Sequence, residues 1–133
     1  MKKFKHLRDY EKKIWERFLQ TEIAKTYKAF EYDIIVGDPP PPPPSTPKEL
    51  INNWQYLASL KIDAIGHKDD EIAIFEIKDI ATPRGIYQLL AYKDLYIKKY
   101  KPTKPVRLYL ISPLTRPDTQ FLANLYNIEI ITV

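Results

Sequence analysis

The sequence predicts an α/β sandwich, a mixed β-sheet flanked by helices. Three observations carry this. Apolar residues near the start recur at three- and four-residue steps, β-branched and aromatic runs of strand length are closed by turn residues, and the two kinds of segment follow one another as helix, three strands, helix, strand, helix, strand. The length of 133 residues suits one domain with its own core, interrupted by a proline-rich loop at 38–47.

Residues 7–29 read as the first helix, with Ile14, Trp15, Phe18, Leu19 and Ile23 on one face and Lys12, Lys13, Glu16, Arg17 and Gln20 on the other sides. Glu31 to Gly37 reads as a strand. Asp38 and six consecutive prolines follow, Pro39 to Pro44. Neither a helix nor a sheet interior accepts them. A polyproline II segment does, and at about 3.1 Å per residue it spans roughly 19 Å. It reads as a stiff surface connection, with docking of a protein partner as the functional alternative. Thr46 and Pro47 then open a helix reaching Leu57, with Thr46 as its N-cap and Glu49 in its first turn.

Lys61–Gly66 and Glu71–Lys78 read as strands joined by the polar turn His67-Lys68-Asp69-Asp70, an antiparallel hairpin. Thr82 or Pro83 opens a long helix ending near Tyr100, where Lys98, Lys99 and Lys101 favour its C-terminus and Pro102 stops it. Val106–Ser112 is a strand, Asp118–Tyr126 a short helix and Ile128–Val133 a last strand. Asp33 and Asp38 read as turn or cap residues around the first strand.

Composition narrows the chemistry. Hydrophobic residues at 44% exclude a disordered chain. Without cysteine there is no disulfide scaffold, thiolate metal site or cysteine nucleophile, and two histidines, His6 and His67, are too few for a multi-histidine zinc site. A net charge of +4 permits contact with a polyanion. The basic start lacks the apolar core of a secretory signal, and no apolar run is long enough to span a membrane, so the expectation is a soluble cytoplasmic protein.

Asp63, Glu76 and Lys78 stand out. Glu76 and Lys78 alternate onto one face of a strand that is otherwise almost wholly apolar. With the turn centred near Lys68 and Asp69, Asp63 falls opposite Ile74 or Phe75 and Glu76 is its diagonal neighbour. Charged groups at the end of a buried strand are costly unless paired, metal-bound or near water. Two hard oxygen donors suit Mg²⁺ or Mn²⁺, which neutralise charge on a phosphate and activate water. An acid-x-lysine triplet alone is weak, since about two arise by chance in such a composition; Glu11-Lys12-Lys13 is another. The next helix adds Gln88 and Tyr92, spaced i and i+4 on one face.

Asp63, then Glu76-x-Lys78, then Gln88-x-x-x-Tyr92 on the following helix, resembles the PD-(D/E)XK nuclease superfamily, above all its RecB-type branch, over roughly residues 7–112. A narrower likeness, carried by Tyr32–Gly37 and Gly85–Tyr96, is to small bacteriophage-encoded members. The resemblance implies a restriction-endonuclease-like core and a metal-dependent deoxyribonuclease. Asp63, Glu76 and the backbone carbonyl of Ile77 would be the ligands of Mg²⁺ or Mn²⁺, and Lys78 the catalytic lysine. Gln88 and Tyr92 would orient that lysine and contact the backbone of DNA. Many RecB-type members add an acid from the first helix; Glu16 is the choice here, with Glu11 and Glu22 as rivals. A histidine from that region could only be His6. Lys98, Lys99, Lys101, Lys104, Arg107 and the N-terminal Lys2, Lys3, Lys5 and Arg8 read as solvated charges or phosphate contacts, and His67 as an exposed turn residue. The rival readings are a structural or adaptor protein, such as a component or oligomer in a phage particle, and a nucleic-acid-binding module without turnover.

Overall fold

A computed structural model describes residues 7–51, 54 and 59–133. His6, Lys2, Lys3, Lys5 and, from the helix expected up to Leu57, Asn52, Asn53 and Gln55 to Leu57 lie outside the described residues. The elements are α1 (Asp9–Leu19), α2 (Glu22–Lys25), β1 (Ala29–Gly37), a 3₁₀ turn (Lys48–Leu50), β2 (Leu60–His67), β3 (Ile72–Ile77), β4 (Ile80–Ala81), α3 (Pro83–Tyr100), β5 (Val106–Ser112), β6 (Leu114–Thr115), α4 (Pro117–Leu125) and β7 (Ile128–Thr132). Among them no helix is long and apolar enough to cross a membrane.

Five strands form one mixed sheet in the order β1-β2-β3-β5-β7, with β1, β2 and β3 antiparallel and β3, β5 and β7 parallel. Two apolar clusters cover its faces. Ile62, Ile65, Ile74, Leu110, Ile86 and Leu89 belong to the cluster under α3 and α4. Trp15, Phe18, Tyr27, Phe75, Ile77 and Ile111 belong to the one under α1 and α2. In the second, the rings of Trp15 and Phe18 meet Phe75 with centroids 5.5 and 5.1 Å away. Gly66 passes beneath these rings, and a Cβ there would lie 2.7 Å from Tyr27 and 2.9 Å from Phe75.

Several expectations need correction. The first helix is two. Gln20 ends α1, and Thr21 leaves the helical region (ψ 158°), accepting a hydrogen bond from the Ala24 N–H (3.3 Å) to start α2. A threonine hydroxyl at an N-cap outcompetes helix continuation. Ile23 consequently turns to solvent. Thr46 closes a turn on Pro43, and Pro47 flanks the short 3₁₀ turn instead. In the proline run Pro39 and Pro42 are partly buried and the other four exposed, the three-residue spacing of polyproline II, and Pro44 already belongs to the turn that Thr46 closes. The Trp54 indole donates to the Pro40 carbonyl (3.0 Å). The two-residue strands β4 and β6, a separate parallel pair, are too short for any periodicity to reveal.

The long helix follows its signals. Thr82 precedes it in extended conformation, Pro83 opens it, and Lys101 ends it in the left-handed region (φ 48°). The hairpin turn lies one residue later than expected: His67 is still paired in β2, and Lys68 N–H donates to the Glu71 carbonyl (3.0 Å).

Candidate active site

That shift of turn matters for chemistry. Ala64 pairs with Phe75, so one step outward the register sets Asp63 opposite Glu76 itself. Directly opposed residues of an antiparallel pair share a face. Phe75 and Ile77 pack under α1, so alternation turns Glu76 to the side of α3. The neighbouring strand bends its pleat at the same level. Phe30 and Tyr32 pack on the α1 side, whereas Ile34 and Val36 pack on the α3 side. The switch falls at Asp33, an interior residue of β1 with φ 57°. The left-handed region suits aspartate better than most residues, so Asp33 acts within the strand and not at its edge.

Asp63 and Glu76 are both about 95% removed from solvent, at 5% and 4% exposure. The Ile77 N–H donates to Asp63 Oδ2 (2.9 Å), which fixes that carboxylate where the ladder between β2 and β3 ends. Lys78 Nζ lies 3.4 Å from Glu76 Oε2, while Glu76 Oε1 has no hydrogen-bond partner among the described residues. Burial pushes the Glu76 carboxyl well above the usual range, the Asp63 carboxylate pushes it further, and the Lys78 ammonium offsets part of the rise. The Tyr92 hydroxyl is raised too, first by burial and then by the Glu76 and Asp63 charges.

A cavity of about 360 Å³ opens here, lined by Asp63, Glu76, Ile77, Lys78, Gln88 and Tyr92. The sequence-predicted set thus meets on one surface. Gln88 Oε1 is a second buried acceptor there without a hydrogen-bond partner among the described residues. Glu16 is not part of it. The buried face of α1 is Ile14, Trp15 and Phe18, and Glu16 projects from another side into solvent. Glu22 is also exposed, paired with Lys25 (3.1 Å). Glu11, three and four residues before Ile14 and Trp15, lies on the buried stripe and lines the cavity; membership of that stripe is the signal that sets it apart from Glu16.

Three further lining residues carry charge or a phenol and were not singled out from sequence, Tyr10, Lys61 and Asp79, and Arg8, read from sequence as a solvated charge or a phosphate contact, lines the cavity too. Lys61 stands two residues before Asp63 on β2 and rests on the Ser59 carbonyl (3.1 Å). None of Lys98, Lys99, Lys101, Lys104 and Arg107 lines the cavity. His67 is half-buried and bound to the Glu31 carboxylate, not free in a turn.

No group of three or more His, Cys, Asp or Glu among the described residues is placed to hold a metal ion. The two buried carboxylates, one with an unsatisfied oxygen, are a donor set that fits Mg²⁺ or Mn²⁺. Such ions use one or two carboxylates and complete their shell with water and substrate phosphate.

No family model matches the chain, and no curated protein matches it. A solved structure does: the crystal structure of a repair endonuclease from Pyrococcus abyssi superposes with a TM-score of 0.55 at 13% identity, over 100% of this chain and 49% of that one. The fold is nuclease-like. The central mixed sheet with helices on both faces is the restriction-endonuclease-like arrangement expected from sequence, and the likeness at this identity is one of fold. The chain spans about half the length of that neighbour.

Proposed function

We propose that this protein is a metal-dependent nuclease of the PD-(D/E)XK superfamily, RecB-type, that hydrolyses phosphodiester bonds in DNA. The observation that carries the reading is the convergence of Asp63, Glu76, Lys78, Gln88 and Tyr92 on one cavity, with both acids buried at a strand end and Glu76 Oε1 without a hydrogen-bond partner among the described residues. Keeping two carboxylates there costs stability, and a bound cation offsets it. The fold neighbour is itself a repair endonuclease, which favours DNA as the polymer.

Asp63, Glu76 and the Ile77 carbonyl would hold Mg²⁺ or Mn²⁺. The cation, when bound, supplies charge neutralisation at the phosphate and a water of lowered pKa. Asp63 keeps its orientation through the Ile77 N–H. Lys78, partly open to the cavity, places its ammonium where negative charge grows on the phosphate. Gln88 and Tyr92 form the α3 wall; the Gln88 amide steadies the lysine and the strand, and the Tyr92 ring excludes water from the acid pair. Glu11, not Glu16, is the first-helix acid that faces the substrate.

The test is cleavage of labelled single- and double-stranded DNA in Mg²⁺ or Mn²⁺, beside an EDTA control and Asp63→Asn. Expected are products that need the divalent ion and vanish in the variant. Gln88→Ala should retain folding and lose about 10–100-fold in rate, the usual scale for a residue that positions a catalytic group. A folded protein that cleaves no substrate with either ion overturns the reading and leaves the structural or adaptor alternative.

A further inference from the structure

The acid pair occupies only part of the cavity. Leu7, Arg8, Tyr10 and Glu11 line it from the start of α1, and Lys61 and Asp79 from the sheet end. Because α1 covers one face of the sheet and α3 the other, the opening lies between two helix layers. At about 360 Å³ it is near the lower end of small-molecule pockets, which run from about 300 to 1,000 Å³. That is the scale of a site for one small unit, such as a nucleotide with its phosphate.

The α1 side carries the chemistry of single-strand recognition. Arg8 Nη1 donates to the Tyr10 hydroxyl (3.3 Å), and the Glu11 carboxylate accepts from the Arg8 backbone N–H (3.1 Å), so the start of α1 is braced. Tyr10 is 42% exposed, like Tyr87, Tyr100 and Tyr126, and differs from them in lining the cavity of the acid pair. Lys61 adds a half-buried point charge suited to a phosphate. A ring beside cations is how proteins hold unpaired bases without reading their sequence.

Resting on the nuclease reading, we infer that Arg8, Tyr10 and Lys61 form a subsite for an unpaired nucleotide next to the phosphate at Asp63 and Glu76, so that the substrate is single-stranded DNA or a single-stranded tail. Tyr10 stacks on the base, and Arg8 and Lys61 hold its phosphates.

The experiment measures binding without turnover. The full chain is titrated in Ca²⁺ into a labelled single strand, a blunt duplex and a tailed duplex, with 2-aminopurine placed in the strand to report stacking. The wild type should bind the single strand and the tail at least about fivefold more tightly than the blunt duplex, and quench the 2-aminopurine. Tyr10→Ala should lose about fivefold or more on the single strand and lose the quench, and Tyr10→Phe should keep both. Lys61→Ala should lower the slope of log affinity against log salt by about 0.7 for a single strand. Equal affinity for strand and duplex, or a quench that survives in Tyr10→Ala, overturns the subsite. Preference and quench without cleavage in Mg²⁺ or Mn²⁺ uphold the subsite and sink the nuclease reading; cleavage without preference does the reverse.

Discussion

At Glu76, burial and the neighbouring Asp63 carboxylate raise the affinity for a proton, and the sign of the consequence can be worked out. The folded protein keeps this proton to a pH at which the unfolded chain, titrating near the ordinary value of 4.5, has lost it. The native state then binds more protons, so the associated stability is complete below about pH 4.5 and is lost as pH rises through the raised value. In EDTA, the melting temperature should therefore fall across that window, and Glu76→Gln should melt higher than wild type at neutral pH with a flatter profile. Divalent binding displaces the same proton, so Mn²⁺ affinity measured by calorimetry should rise with pH in wild type and not in Glu76→Gln. Asp63, Glu76 and Lys78 were legible in sequence because charge at the end of an apolar strand is conspicuous. The preference for Glu16 over Glu11 passed over a signal that the sequence holds, since Glu11 stands three and four residues before Ile14 and Trp15 on the buried stripe. Lys61 and Tyr10 carry no motif, and only tertiary packing brings them to the acids.

Elements were read well where periodicity was long and poorly where one residue decides. The pattern from Pro83 to Tyr100 had eighteen residues to declare itself. The break between α1 and α2 rests on Thr21, which caps α2 through its side chain and donates to the Phe18 carbonyl (2.6 Å) at the end of α1. Thr21→Ala should cost about 1 kcal/mol in chemical denaturation. The register of β2 on β3 also hung on one residue of turn, and the ladder ends at Ala64 and Phe75, so that its continuation by one step runs from Asp63 to Glu76. Gly66 holds that hairpin under the aromatic cluster. Gly66→Ala should destabilise by about 1–3 kcal/mol, because the new methyl meets Tyr27 and Phe75 rings that are already packed; an unchanged midpoint would mean that the rings yield freely.

Across the whole molecule, the layer order follows from the alternation of strands and helices, and the fold class was legible for that reason. The pairing of β3 with β5, and of β5 with β7, comes from long-range contacts that local patterns do not encode. Charge is also arranged globally. Lys98 and Lys99 border a separate hollow with Val36, Asp38 and Leu95, away from the acid pair. Exchanging both for glutamate should change cleavage less than twofold at moderate salt, since exposed charges beyond a screening length of about 8–10 Å contribute little. The central claim is that Lys78 acts on a phosphate beside the Asp63–Glu76 pair. Its most direct test is single-turnover cleavage of a labelled DNA strand in Mn²⁺ by wild type and Lys78→Ala, with Mn²⁺ binding and thermal melting measured on the same preparations. Lys78→Ala should fold, still bind Mn²⁺ and cleave about 10²–10³-fold more slowly, the scale of losing one preorganised group that stabilises transition-state charge. Equal cleavage rates for the two proteins would contradict it.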